Sequence, residues 1–224
     1  MHHFLTTNQT EPPFVSALAY SLMMALLLLS IYASIKYYPS FIKSMKILQL
    51  CQLAVLYSWY VGFQLPLANS LPLYHCRLAM FAVVFLPDKW PSKQYFALLG
   101  ASGAVFALGY PVFDPYDFPH ITSFSFLIGH YALLVNSLIY LMNHYDKTQL
   151  KKYMIVLYTF VLDAFLVGVN QVTGGNYGLL KSPPFISQHN LLVKYLAVSI
   201  IFSATLLLFD EVFKKRWKKQ LEIV

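Results

Sequence analysis

From Phe14 to Ile35 the chain runs for 22 residues without a charge, and Leu26, Leu27, Leu28 and Leu29 stand at its middle. A helix that crosses a bilayer needs about 20 mostly apolar residues, so this segment is long enough to cross. No Lys or Arg precedes it, which argues against a signal peptide. The same criterion predicts six further spans, at about Lys46–Phe63, Leu71–Leu86, Tyr95–Tyr110, Ile121–Met142, Tyr153–Asn170 and Leu191–Phe209. The third and fourth are short and carry Cys76, Arg77, Gly100, Gly103 and Gly109. Composition agrees: 58% of the 224 residues are hydrophobic and only 11% charged, against roughly a quarter charged in a soluble domain.

The net charge of +7 could suggest a nucleic-acid partner, but the positions of the basic residues give a simpler reading. Cytoplasmic loops of membrane proteins are enriched in Lys and Arg. Lys36, Lys43 and Lys46 follow the first span, Lys89 and Lys93 the third, and Lys147, Lys151 and Lys152 the fifth. Lys214, Lys215, Arg216, Lys218 and Lys219 follow the seventh, so 13 of the 16 basic residues fall on one side. The loops of the opposite side hold one basic residue, Lys181. The expected fold is therefore an all-α bundle of seven transmembrane helices in a single domain over residues 1–224. Residues 1–13 form an outer N-terminal segment and residues 211–224 a basic cytoplasmic tail. The basic surplus faces anionic headgroups rather than nucleic acid. The segment Asn8-Gln-Thr10 is a glycosylation sequon on the outer side, relevant only in a eukaryotic secretory membrane.

Ionisable residues inside spans cost roughly 2.5–3.5 kcal/mol at the centre of a helix and mark candidate sites. At about 1.5 Å per residue, His75, Cys76 and Arg77 lie a turn or two below the outer surface. His130 lies near the midplane, and Asp163, Asn170 and Lys194 also fall in the outer half. Each has a second reading in which it only serves the fold. Arg77 and Asp163 could form an ion pair between the third and sixth spans, and Lys194 could reach up to the interface. His75 could be a wet surface histidine and His130 an interhelical hydrogen-bonding group. His is also the side chain best matched to proton transfer near neutral pH.

Cys51 and Cys76 differ by about 15 Å in depth, whereas a disulfide needs Cα atoms within about 7 Å. Cys51 reads as a small packing residue. Cys76 has Arg77 beside it, and a neighbouring cation enlarges the thiolate fraction of a thiol, which a nucleophile needs. Adjacent residues of a helix do not share a face, so the base for Cys76 must come from another helix, and His130 has a compatible depth. No metal-ligand spacing is present and the histidines are scattered, so neither a metal nor a cofactor is expected. The segment Gly174-Gly-Asn-Tyr-Gly-Leu-Leu-Lys-Ser-Pro-Pro184 combines turn-forming glycines with a stiff double proline. It is either a plain turn into the last span or a shaped lid over the polar residues, with Asn176 and Tyr177 facing a substrate.

Three segments carry a resemblance. Leu71-Pro-Leu-Tyr-His-Cys76 resembles the Leu-Pro-x-x-x-Cys element of the YwaF-like integral membrane proteins, which are bacterial. Gly129-His130 resembles that family's membrane-embedded histidine, and Asn176-Tyr-Gly-Leu-Leu-Lys-Ser-Pro183 its Asn-Tyr-x-x-Leu-x-x-x-Pro loop. The resemblance implies a bacterial cell membrane as the setting. It also implies kinship with vertebrate phospholipid acyltransferases that use a membrane Cys and His, here Cys76 and His130. Arg77 has no counterpart in that pattern.

The reading that follows is an intramembrane acyltransferase or transacylase acting on membrane phospholipid or lysophospholipid through a Cys76 thioester, with His130 as general base. Asn176 and Tyr177 would orient the substrate, Arg77 or Lys194 would hold its phosphate, and His75 and Asp163 would line the site. The alternative is a non-enzymatic solute-binding or transport protein with Arg77, Asp163, His130 and Asn176 around an outer cavity. The enzyme requires Cys76 and His130 within hydrogen-bond reach, directly or through one water. The binding protein requires an aqueous cavity.

Overall fold

The computed structural model describes residues 3–183, 186–187 and 189–221, with the side chains of 37–40 and 217–221 excepted. Pro184 of the double proline, the side chains of Lys218 and Lys219 and the last three residues of the tail lie outside the described residues. The described residues form helices and no strand: α1 (Ala17–Gly62), α2 (Leu67–Ser70), α3 (His75–Phe85), α4 (Pro91–Gly109), α5 (Ile121–His144), α6 (Lys152–Thr173) and α7 (Leu191–Leu221), with a 3₁₀ turn at Tyr177–Leu179.

The helix boundaries follow from local chemistry. Ser16 caps α1 by accepting from Ala19 N at 3.2 Å. Pro91 begins α4 at the position where its missing N–H costs nothing. Gly174, left-handed at φ 76°, ends α6. The third expected span, Leu71–Leu86, is helical only from His75, because Pro72 holds Leu71 extended at ψ 148°. Among the described residues, four stretches have the length and hydropathy to cross a bilayer: Ala17–Lys36, Ile121–His144, Lys152–Thr173 and Leu191–Arg216. The helix that carries the seventh expected span, Leu191–Phe209, continues to Leu221.

The first two expected spans lie within the single element α1, of 46 residues. A straight helix of that size would be about 69 Å long and would hold Met23 about 43 Å from Gln52. Yet Tyr131 Oη donates to Met23 O at 2.8 Å, while Gln52 Nε2 donates to Ser125 Oγ at 2.6 Å. Tyr131 and Ser125 are under two turns apart on α5. The contacts therefore require α1 to double back into two arms, and both arms pack on α5. Met23 and Leu27 of the first arm share a core with Leu53 of the second and with Leu133 and Leu134 of α5.

Helix ends gather at two opposite faces. At one, Gln94 Nε2 donates to Asp146 O and Tyr140 Oη to Asp88 O, and Lys152 pairs with Glu211. Lys89, Lys147, Lys151, Lys215 and Arg216 belong to this basic end. Lys93, expected on a loop, is instead buried: its Nζ donates to Leu86 O and pairs with Asp88 Oδ1 at 2.7 Å each. That bond, more than the ammonium's charge, holds the Asp88 carboxyl below its ordinary range.

The opposite, capped end carries residues 3–16, the 63–74 and 110–120 connections and the described residues of the 174–190 loop. There Tyr20 Oη reaches Gly109 O at 2.8 Å and His120 Nε2 reaches Thr6 O at 3.1 Å. α5 is buried along most of its length, while the first arm of α1, α6 and α7 turn apolar rows outward. Leu157, Val161 and Phe165 form one such row along α6. Packing of this kind suits hydrocarbon rather than water around the bundle.

Candidate functional site

The first turn of α3 delivers His75, Cys76 and Arg77 in three different directions, as consecutive helical residues must be. Each enters a separate environment beneath the capped end.

His75 turns toward α6 and α7. Its Nε2 lies 2.7 Å from Asp163 Oδ1, and Ser199 Oγ donates to Asp163 Oδ2 at 2.8 Å. A carboxylate only accepts, so the His75 proton sits on Nε2. The ring packs on Phe202 with centroids 4.5 Å apart, and Gly178 of the cap closes over its other side. Asp163 is completely buried and its partner is His75, not the expected Arg77. The expectation of a wet surface histidine is corrected too, because His75 is buried.

Cys76 packs against the core that Met23 and Leu27 of the first arm of α1 form with Ala104 of α4 and Leu133 and Leu134 of α5. Its Sγ fills the space that a side chain at Gly103 would take, 3.0 Å from an ideal Cβ there. His130, on α5, packs on the Phe126 ring with centroids 4.4 Å apart. Its Nδ1 is 2.7 Å from Phe126 O, one turn earlier on α5. A carbonyl only accepts, so the proton is on Nδ1 and the neutral ring keeps a free lone pair on Nε2. Among the described residues no hydrogen bond joins Cys76 to His130, so the direct contact expected of the enzyme is not formed. Both cysteines are free, and Cys51 faces outward rather than packing inside as expected.

Arg77 turns toward the second arm of α1. Its Nη2 donates to Tyr60 Oη at 2.6 Å. The guanidinium lies over the Tyr60 and Tyr74 rings at 5.1 and 5.2 Å, close enough for cation–π attraction. The Tyr57 ring meets Tyr60 edge-on at 5.5 Å. Arg77 Nη1 and Tyr57 Oη are buried without a hydrogen-bond partner among the described residues. Asp114, in the 110–120 connection, faces this cation through space without forming an ion pair among the described residues.

The cap is stitched to the bundle by its own polar atoms. Asn170 bonds both faces of one residue, accepting from Tyr177 N at 2.7 Å and donating to Tyr177 O at 2.8 Å. Tyr177 Oη accepts from Leu71 N at 2.9 Å and donates to Leu67 O. Burial raises its phenol above the ordinary range and keeps that donor protonated. Asn176 Oδ1 accepts from Lys181 N and Ser182 N at 2.9 and 3.0 Å. Lys194 Nζ donates to Lys181 O at 2.6 Å. The polar groups expected to orient substrate, at Asn176 and Tyr177, and to hold its phosphate, at Lys194, thus make hydrogen bonds within or to the cap. A cavity of about 150 Å³ lies beside it, between α6 and the start of α7, lined by Asn170 and Lys181 among others. Neither Cys76 nor His130 lines it.

The tyrosines around Arg77 were not singled out from the sequence. Their signal was a spacing: Tyr57 and Tyr60 stand three apart, as do Tyr74 and Arg77, and such residues are neighbours on a helix.

An all-helical bundle with bilayer-length apolar helices, outward apolar rows and buried ionisable side chains is an integral membrane protein. The model of the TMEM164 family, a family of membrane proteins, matches residues 4–210, so the chain belongs to the TMEM164 family. The chain matches no curated protein and no solved structure.

Proposed function

We propose that the protein is an intramembrane acyltransferase or transacylase, related to the YwaF-like proteins, that moves a fatty acyl chain between membrane phospholipids with Cys76 and His130. The observation that carries this reading is the state of His130. Its Nδ1–H is committed to Phe126 O, which leaves the lone pair of Nε2 free to accept a proton.

In the first step Cys76 Sγ attacks the ester carbonyl of the donor, and its proton passes to His130 Nε2. The C–O bond of the ester breaks, the leaving glycerol oxygen takes that proton, and an acyl thioester remains on sulfur. In the second step the hydroxyl of an acceptor attacks the thioester, giving its proton to Nε2, and the departing sulfur recovers it. His75, held by Asp163 and Ser199, fixes the rotation of the turn that presents Cys76.

In the membrane the chain makes seven passes: two through the arms of α1 and one each through α3, α4, α5, α6 and α7. The basic end and the C-terminus face the cytoplasm, and the N-terminus and the cap face outward. A bacterial cell membrane is the setting we propose.

The deciding experiment is mass spectrometry of the purified chain after incubation with phospholipid, beside Cys76→Ser and His130→Ala. The reading expects an acyl adduct on Cys76 that accumulates without acceptor and is lost in both variants. Absence of adduct and of lysophospholipid with the wild-type chain would remove it.

A further inference from the structure

A guanidinium inside a membrane bundle ordinarily faces a carboxylate or a ring of carbonyls. Arg77 pairs with neither among the described residues. Its Nη2 bonds a phenol, Tyr60, a second phenol, Tyr57, lies beside it, and Asp114 acts on it through space without an ion pair. Arg77 Nη1 and the Tyr57 hydroxyl are buried beside each other, and neither has a well-formed hydrogen bond among the described residues. Leaving such groups unpaired is costly, and more so where the group is charged. The missing piece is therefore an acceptor that is also an anion. It must be compact, since aromatic rings at Tyr60 and Tyr74 close two sides. It must also offer several oxygens, to serve two donors on different helices.

We propose that Arg77 and Tyr57 form the subsite for the phosphodiester of a membrane glycerophospholipid. A phosphodiester has two non-bridging oxygens, which fits a guanidinium nitrogen and a phenol at once. Lys194 is not part of this subsite, because its ammonium is bound to the cap at Lys181 O. The assignment rests on the acyl-transfer reading for its meaning: Arg77 follows Cys76 directly, so a lipid anchored by its phosphate on one face of the α3 turn has its ester groups a glycerol backbone away. The phosphate is then a positioning handle, and Arg77 and Tyr57 select donors that carry it.

The test measures binding without chemistry. The full chain carrying Cys76→Ser, purified in a maltoside detergent, is offered dioleoylphosphatidylcholine or dioleoylglycerol, and retained lipid is counted by native mass spectrometry. The expected result is retention of the phospholipid at least about tenfold above the phosphate-free lipid, as charge-assisted hydrogen bonds would give. Arg77→Met brings the two lipids level, and Tyr57→Phe, which keeps the ring and the packing, lowers retention of the phospholipid alone. Arg77→Lys keeps the charge, recovers part of the preference and guards against a variant that merely fails to fold. Equal retention of both lipids by the Cys76→Ser chain, or unchanged preference in Arg77→Met, overturns the proposal. A separate arm uses inorganic phosphate. If it raises the melting temperature only when Arg77 is present, while phospholipid retention ignores Arg77, the subsite takes free phosphate and the lipid assignment falls. Because no arm depends on acyl transfer, loss of the thioester mechanism in the earlier experiment leaves this outcome readable by itself.

Discussion

His75 and Asp163 stand 88 residues apart and meet with Nε2 2.7 Å from Oδ1, and Ser199 brings a third helix to the same carboxylate. One fully buried acceptor thereby ties α3, α6 and α7 together at the turn that carries Cys76. Asp163→Ala leaves the His75 N–H and the Ser199 hydroxyl without their acceptor, at about 1–3 kcal/mol for each buried group. The melting temperature in detergent should fall sharply, while Ser199→Ala, which removes one donor, costs about 1 kcal/mol. If the two substitutions cost the same, the aspartate is not the centre of the network.

Gly103 makes room for the Cys76 thiol. A methyl there would sit 3.0 Å from Sγ, tight enough that the thiol must give by a few tenths of an ångström, whereas Gly109 on the same helix has open space around it. Gly103→Ala should displace the thiol and lower the rate of adduct formation, and Gly109→Ala should leave it unchanged. Matched rates for the two variants would separate Gly103 from the reactive position.

The cap depends on Gly178, at φ 68°, whose added Cβ would meet His75 Cε1 at 2.7 Å. Gly178→Ala should destabilise the protein by about 1–2 kcal/mol from the left-handed backbone alone, with the clash adding to it. Hydrogen exchange should quicken at the Tyr177 amide, which Asn170 otherwise holds. Unchanged exchange would show that the cap does not need this turn.

His120 caps α5 as a neutral ring: its Nε2–H donates to Thr6 O, and its Nδ1 accepts from Thr122 N at 3.3 Å. Burial, only partly offset by the Thr6 bond and by Asp114, moves its pKa below the ordinary 6.5. The unfolded chain therefore binds the extra proton first. This residue's contribution is complete above about 6.5 and is lost as pH falls below it, by no more than about 1.4 kcal/mol per pH unit. His120→Asn keeps a cap acceptor and removes the titration, so unfolding measured between pH 7 and pH 5 should flatten in that variant. An equal slope in both proteins would place the titration elsewhere.

Much of the bundle was legible along the chain because hydrocarbon imposes a one-dimensional rule: enough uncharged residues in a row, with basic residues beyond their ends. Ile121–His144 and Lys152–Thr173 obey it closely, and so does the start of α7 at Leu191. The rule was weakest at Leu71–Leu86, where Pro72 overrode the apolar run. Between Lys36 and Lys46 it marked a connection inside what is one helical element, and the contacts of both arms to α5 require the same reversal. The depth of a residue could be counted from the sequence, and so Cys76 and His130 were placed in one layer. Azimuth could not. Which way a side chain turns about its helix depends on how neighbouring helices pack, and that decided the partners. Asp163 took His75 rather than Arg77, Asn176 and Tyr177 turned into the cap, and Arg77 came to rest among tyrosines with a donor to spare. Hydropathy sums over a helix and survives any rotation of it; a hydrogen bond does not.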